Sequence, residues 1–256
     1  MKWRSLPESG QGPDPRPLRE QFSERKALLA QYVPPEAQAV HARVIRELQE
    51  QGTVERALAA GECAPRFDLQ DQDGRRVSSQ ELLGTAVLVV CFFRGRWCPF
   101  CVGQLEAMNV VLPRIEAAGA QLVAISPQTV RQSSLMAEQH KLRFPLLSDL
   151  RNQVARQFGL VYRVPEYQQS VYQRALVNLP FVNGDDSWEL PIPATYIVGR
   201  DGRLRYASLN PDYSVRPEPA ELIDRLRRPD VQLQPAAGKG APVRQGKQRS
   251  SGTGQA

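Results

Sequence analysis

Residues 85–101 read TAVLVVCFFRGRWCPFC. The first nine are almost wholly apolar and rich in β-branched and aromatic side chains, the pattern of a strand buried on both faces. The last four place Cys98 and Cys101 on either side of Pro99-Phe100. Beyond them, CPFCVGQLEAMNVVLPRIEAAG carries Leu105, Met108, Val111, Leu112 and Ile115 at helical spacing and stops at Gly119. A buried strand therefore turns through Arg94-Gly95-Arg96-Trp97 into a helix whose first turn holds two thiols.

The same alternation continues downstream. AQLVAIS (120–126) and RFPLLSD (143–149) read as further buried strands. PQTVRQSSLMAEQHK (127–141) reads as a helix with Pro127 in its first turn, and RNQVARQFG (151–159) as a short one. Strand, helix, strand, helix, strand specifies an α/β sheet with parallel neighbours and crossover helices. Upstream, RFDLQDQDGRRVSS alternates around Asp73-Gly74, a hairpin signal. Downstream, PATYIVG and LRYASL flank a second hairpin turn, and EPAELIDRLRR is a last helix. The two hairpins make the sheet mixed, with helices on both faces. LVYRVPEYQQSVYQRALVNLPFVNGDDSWELPI (160–192) interrupts the pattern, with helical character over 164–178 followed by a polar loop.

Four segments follow. Residues 1–16, rich in Pro and Gly, are a flexible leader, and 17–53 form an N-terminal helical extension broken at Pro34-Pro35 and too short for its own core. Residues 54–228 are the α/β domain. Residues 229–256 are a disordered tail in which Lys239, Arg244, Lys247 and Arg249 face one acid, Asp230. The chain has 256 residues, is 41% hydrophobic and 23% charged, and carries a net charge of +6. That balance is ordinary for a globular protein, and the basic tail is read as solvated, with no nucleic acid required. The longest apolar run is about eight residues against the roughly 20 that span a bilayer, and Met1-Lys2-Trp3-Arg4 leads into no apolar segment. The expectation is a cytoplasmic protein without a membrane partner.

Cytoplasmic cysteines do not form disulfide frameworks. Three chemistries are open to the pair: a metal clip, a structural disulfide and redox exchange. Zinc needs four ligands, and Cys63, Cys91, His41 and His140 supply no second spaced pair, so neither metal nor cofactor is expected. Redox exchange fits the position. Residues three apart on a helical turn bring their Cα atoms to roughly 5–6 Å, within disulfide reach. A helix N-terminus stabilises a thiolate, Pro99 suits the first turn, and Arg94 and Arg96 add positive charge. Trp97 is read as a packing residue that, beside an active thiol, would also exclude water. Neither histidine is near the pair in sequence, Cys91 is a core residue, and Cys63 is a spectator.

The segments APRFDLQDQDG, LVVCFFRGRWCPFCVGQLEAM and NGDDSWELPIPATYIVGRDGRLRYA, with the spacing between them, resemble the peroxiredoxin-like branch of the alkyl hydroperoxide reductase/thiol-specific antioxidant family. The resemblance runs from about Val54 to Arg228 and takes in the helical extension. It implies a thioredoxin-like fold and thiol-dependent reduction of hydroperoxides, with thioredoxin or a similar thiol donor as partner; a homodimer is compatible with it. The family pattern P-x-x-x-T-x-x-C is absent in both registers. Ending it on Cys101 places Arg94 and Cys98 at the Pro and Thr positions, and ending it on Cys98 places Cys91 and Gly95 there. The family's late arginine position falls on Pro193. IPATYIVGRDG resembles instead the proline–strand signature of thioredoxins, which implies a cis Pro193 beside Thr195 packed against the Cys pair.

Cys98, with its Cys-Pro dipeptide at the helix start, is expected to be the exposed attacking thiolate and Cys101 the resolving thiol. The leading functional reading is a peroxidase. A general thiol–disulfide oxidoreductase acting on protein disulfides and a non-catalytic redox sensor or scaffold are the alternatives. The segment 160–192 is expected to flank the site, with Tyr162, Tyr167, Tyr172, Phe181 and Trp188 either as a substrate rim or as a cover for the sheet.

Overall fold

The structure, a computed structural model, describes Asp14 and residues 16–232. Most of the expected leader and tail lies outside these residues. Two helices, α1 (Leu18–Tyr32) and α2 (Pro35–Glu50), and a single turn, α3 (Thr53–Arg56), precede the sheet. The hairpin β1 (Asp68–Gln70) and β2 (Arg76–Ser78) leads through α4 (Ser79–Thr85) to β3 (Val87–Phe92). Then come α5 (Pro99–Ala117), β4 (Ala120–Ser126), α6 (Val130–His140), β5 (Leu146–Ser148) and α7 (Gln153–Gln157). The interrupting segment comprises β6 (Val161–Arg163), α8 (Glu166–Arg174), α9 (Leu179–Asn183) and β7 (Glu189–Pro191). The chain closes with β8 (Ala194–Val198), β9 (Leu204–Leu209) and α10 (Pro219–Leu226).

The main sheet runs β2-β1-β5-β4-β3-β8-β9. Strands β5, β4 and β3 are parallel, and the flanking pairs are antiparallel. The apolar run lies near the centre because every one of its residues is buried from both sides. Val87, Val89 and Cys91 join the core under α5, while Leu88, Val90 and Phe92 join the core on the opposite face. Each aliphatic side chain so removed from water contributes about 1.5–3 kcal/mol. This is the expected thioredoxin-like mixed sheet, and β3 aims the chain at the start of α5.

Three expectations are corrected. Pro127 does not lie in the first turn of α6, which begins at Val130: the Thr129 N–H is bonded to the Val182 carbonyl, so the chain is still anchored to α9 there. The polar loop after α8 is instead α9 and β7, the latter paired antiparallel with β6. The folded chain runs past residue 229, since Val231 is buried and Gln232 donates to the Ala118 and Leu226 carbonyls.

The helical extension is part of the domain. Leu18 and Phe22 of α1 belong to the same core cluster as Cys98 and Cys101. Phe22 meets Phe100 edge to face at 5.3 Å, and Arg25 Nη1 donates to the Pro99 carbonyl at 2.7 Å. Glu218, just before α10, accepts the free Leu18 and Arg19 N–H groups at 2.8 and 2.9 Å, capping α1 from another element. Lys26 pairs with Asp212 at 3.1 Å. Helix α1 thus straps the first turn of α5. No helix among the described residues is long and apolar enough to cross a membrane.

Candidate active site

Cys98 is the N-cap of α5, with Pro99 at N1. Its extended backbone lets the sulfur turn back onto the helix, where it accepts the Cys101 N–H at 3.4 Å. The thiol therefore sits where free N–H groups and the helix dipole favour negative charge. Arg94, four residues earlier, donates from Nη2 to the same sulfur at 3.1 Å. Both cysteines are free and fully buried, which corrects the expectation of an exposed Cys98: α1 and the loop after β9 cover the turn, and no local sequence signal reports them.

Arg94 is itself buried. No carboxylate lies within ion-pair distance of it among the described residues. Its guanidinium stands over the rings of Tyr213, at 4.1 Å, and Trp97, at 5.0 Å, and Nη1 donates to the Tyr172 hydroxyl at 3.3 Å. Cation–π contacts of this kind are strongest when desolvated. Burial raises the phenols of Tyr162, Tyr172 and Tyr213, the last to about 12, so they remain neutral dipoles around the cation. The counter-charge the site supplies to Arg94 is the Cys98 sulfur.

The two thiols are driven apart. Burial pushes Cys98 up, but hydrogen bonding from Cys101, the charges of Arg94 and Arg216 and the Arg94 hydrogen bond outweigh it and hold Cys98 well below the usual thiol range. Burial, together with the hydrogen bond and charge of Cys98, raises Cys101 far above that range. These opposite shifts favour a single negative charge in the pair, centred on Cys98. An asymmetric pair of this kind has a nucleophile ready and a second thiol held in reserve.

The other sequence candidates fall in different places. Arg96 turns to α6, its N–H donating to Gln128 at 3.0 Å and its guanidinium reaching Gln132 and Gln139. Trp97 bridges the main core and the cluster of Val164, Tyr172, Val177, Leu179 and Leu190 in the interrupting segment. Its ring lies 5.1 Å from Tyr172. Every described peptide bond is trans, Pro193 included. Strand β7 already delivers an extended chain to β8, with Ile192 bonded to the Leu160 carbonyl, so no reversal is needed at Pro193. Thr195 pairs with Cys91 across the sheet, its hydroxyl 3.8 Å from that sulfur and accepting from Gln104 at 3.0 Å. It is thus linked to the third cysteine.

Of the five aromatics, Tyr162, Tyr172 and Trp188 belong to the cluster packed around Trp97. Tyr167 bonds Glu47 on α2, and Phe181 is exposed. Sequence reading missed Arg216 and Tyr213, and it set His41 aside as not near the pair. Arg216 Nη2 points at Cys101 Sγ at 3.7 Å. The His41 ring lies 5.8 Å from Tyr172 and 6.0 Å from Tyr213, and burial with the nearby Arg94 charge lowers its pKa to about 4, which keeps it neutral. No spacing rule links residue 41, 213 or 216 to residue 98; only tertiary packing does.

Gly95 makes the turn. Its φ of +144° is a conformation that L side chains rarely adopt, and a Cβ there would lie 2.7 Å from Trp97 Nε1. Gly95→Ala is expected to displace the indole and cost about 1–3 kcal/mol of stability. Thermal unfolding of the reduced protein measures this, and near-UV circular dichroism reports the tryptophan.

The AhpC/TSA family model matches residues 60–207. The chain is 37% identical to peroxiredoxin Bcp of Escherichia coli (strain K12) over 103 residues, covering 40% of this chain and 65% of that protein. It is 34% identical to the chloroplastic peroxiredoxin Q of Oryza sativa subsp. japonica over 149 residues, 58% of each chain. It thus spans less than two thirds of the length of these curated relatives. Among solved structures, the peroxidoxin BcpB of Mycobacterium tuberculosis superposes with a TM-score of 0.53 over 66% of this chain and 97% of that one, at 21% identity. A cysteine-to-serine mutant of the peroxiredoxin 6 of Arenicola marina gives 0.54 over 66% and 72%, at 18% identity. These are likenesses of fold.

Proposed function

Because the chain belongs to the AhpC/TSA family, we propose that it is a thiol peroxidase reducing hydrogen peroxide or organic hydroperoxides through Cys98 and Cys101. The observation that carries the reading is the Arg94 guanidinium held 3.1 Å from a buried sulfur at a helix N-terminus. The Cys98 thiolate attacks one peroxide oxygen. The O–O bond breaks, the sulfur is oxidised by two electrons to a sulfenic acid, and the leaving alkoxide or hydroxide takes a proton. Cys101 then attacks the Cys98 sulfur and expels water, leaving an internal disulfide. A dithiol donor such as thioredoxin reduces it by exchange.

Cys-x-x-Cys spacing with split thiol acidities also suits a general thiol–disulfide oxidoreductase. The burial of both sulfurs favours a small substrate over a protein disulfide in the attacking step. A redox sensor or scaffold would need no turnover. One experiment separates the three. The reduced protein is given hydrogen peroxide or cumene hydroperoxide with NADPH, thioredoxin reductase and thioredoxin. Peroxide-dependent NADPH oxidation supports the peroxidase. Exchange with a disulfide substrate but no reaction with peroxide supports the oxidoreductase, and neither supports the sensor. A cytoplasmic setting and a homodimeric assembly complete the proposal, the latter measurable by sedimentation.

A further inference from the structure

The loop between β9 and α10 brings a second guanidinium into the site. Arg216 Nη2 stands 3.7 Å from Cys101 Sγ, and Nη1 donates to the Val215 carbonyl at 2.9 Å. Its Nε is buried and has no hydrogen-bond partner among the described residues. The loop is fixed on both sides. Asp212 pairs with Lys26 of α1 and accepts the Ser214 N–H and hydroxyl, and Glu218 caps α1. The guanidinium is therefore delivered by a braced segment.

We propose that Arg216 is the catalytic group of the second step, stabilising Cys101 as a thiolate once Cys98 has been oxidised. The inference rests on the peroxidase reading above. Each thiol has its own guanidinium, Arg94 at 3.1 Å from Cys98 and Arg216 at 3.7 Å from Cys101. In the reduced protein burial, and after it the hydrogen bond and charge of Cys98, keep the proton on Cys101. Conversion of Cys98 to a sulfenic acid neutralises that charge. Burial still opposes ionisation of Cys101, but the opposing thiolate is gone, both cations remain, and Arg216 stands 3.7 Å from the sulfur. Cys101 Sγ then bonds Cys98 Sγ, the S–O bond breaks, and the Cys101 proton leaves with the hydroxyl as water. No oxidant beyond the hydroperoxide already consumed is needed. The charged and titratable groups that bear on Cys101 are Cys98, Arg216 and Arg94, with Arg25 of α1 held at the Pro99 carbonyl. The two thiols are thereby activated in sequence by a change of charge, without a conformational switch.

The test is rapid quench of wild type, Arg216→Gln and Arg216→Lys after one equivalent of hydrogen peroxide, with a dimedone trap for sulfenic acid and mass measurement of the disulfide. In Arg216→Gln, disulfide formation should slow by about tenfold or more, as for loss of a charge-assisted contact of ~1.4 kcal/mol, and by more than sulfenic acid formation, which loses only the Arg216 charge on Cys98 and keeps the Arg94 hydrogen bond. The pH midpoint of disulfide formation should rise in Gln and return toward wild type in Lys. Arg216→Met carries the same expectation if the Gln variant does not fold. Disulfide formation at the wild-type rate with an unmoved midpoint overturns the proposal. So does equal slowing of both steps with an unmoved midpoint, which marks a structural role. Failure of the wild type to form sulfenic acid overturns the peroxidase reading itself, and is recognised before any variant is compared.

Discussion

Cys98→Ser is expected to abolish peroxide-dependent turnover, leaving only the uncatalysed background, while Cys101→Ser keeps the first attack and loses recycling. The asymmetry follows from where the charge sits. Cys98 receives an Arg94 N–H and the Cys101 N–H, and its thiol lies well below the usual range near ~8.5, whereas Cys101 lies above it. A serine hydroxyl at 98 is not ionised at any working pH and cannot replace the thiolate. At 101 a serine keeps a donor for Cys98 but cannot form a disulfide. In single-turnover experiments the Cys101→Ser protein should consume one equivalent of peroxide and accumulate sulfenic acid at Cys98. The Cys98→Ser protein should react far more slowly and form no sulfenic acid at position 98, because the hydroxyl is no nucleophile there and the buried Cys101 lacks the backbone N–H and the 3.1 Å guanidinium contact that Cys98 has. Comparable reactivity in both variants would mean that the split in acidity does not govern attack.

Arg94→Gln is expected to slow that first step by about 10- to 150-fold at neutral pH. A hydrogen bond to a charged group contributes roughly 1.5–3 kcal/mol, and each ~1.36 kcal/mol is a factor of ten. The sign with pH is set by the direction of the Cys98 shift. A thiol held low is ionised across neutrality, so the wild-type rate should stay level as pH falls from 8 to 7. Without the guanidinium, burial is opposed only by the Cys101 hydrogen bond and the Arg216 charge, and the thiol moves up. The variant rate should then fall as pH drops through this window, by at most about tenfold per unit, since the attacking species is the thiolate. Glutamine can still donate a neutral hydrogen bond, so the loss isolates the charge. Arg94→Lys should fall between the two, because a point charge lacks the fork that reaches Cys98 and Tyr172 together. Stopped-flow tryptophan fluorescence should follow the step, because Trp97 stands against the Arg94 guanidinium. A pH profile identical to that of the wild type would remove Arg94 from the account.

What the sequence carries and what it hides divide along a physical line. The run from Ala86 to Phe93 is apolar over its whole length, which only a strand covered on both faces satisfies, and β3 lies there. Pro99 and the helical spacing behind it locate the start of α5, and through it the position of Cys98 at the N-cap. These are local signals. The expected exposure of Cys98 is wrong because the cover comes from α1 and from the loop around Tyr213, more than a hundred residues apart in the chain. Arg216 is invisible for the same reason, lying 115 residues from the sulfur it faces. The thioredoxin-like signature at Pro193 misleads because β7 enters β8 extended; what resembles a motif in one strand depends on the strand before it. Residues 179–191 contain Pro180, Gly184, Asp185 and Asp186 and read as a loop, yet Asn178 caps a short helix there by accepting the Phe181 N–H at 3.1 Å. The aromatics of the interrupting segment turn out to be divided: Tyr172 touches Arg94, whereas Tyr167 holds α2.

The central claim is that Cys98 and Cys101 act in sequence on one peroxide. Peptide mapping by mass spectrometry after mixing the reduced protein with one equivalent of hydrogen peroxide tests it most directly. The account predicts a single new disulfide joining Cys98 and Cys101, formed much faster than free cysteine is oxidised at the same pH, with Cys63 and Cys91 still reduced. A pair that remains reduced while peroxide persists, or oxidation that appears first at the exposed Cys63, would contradict it.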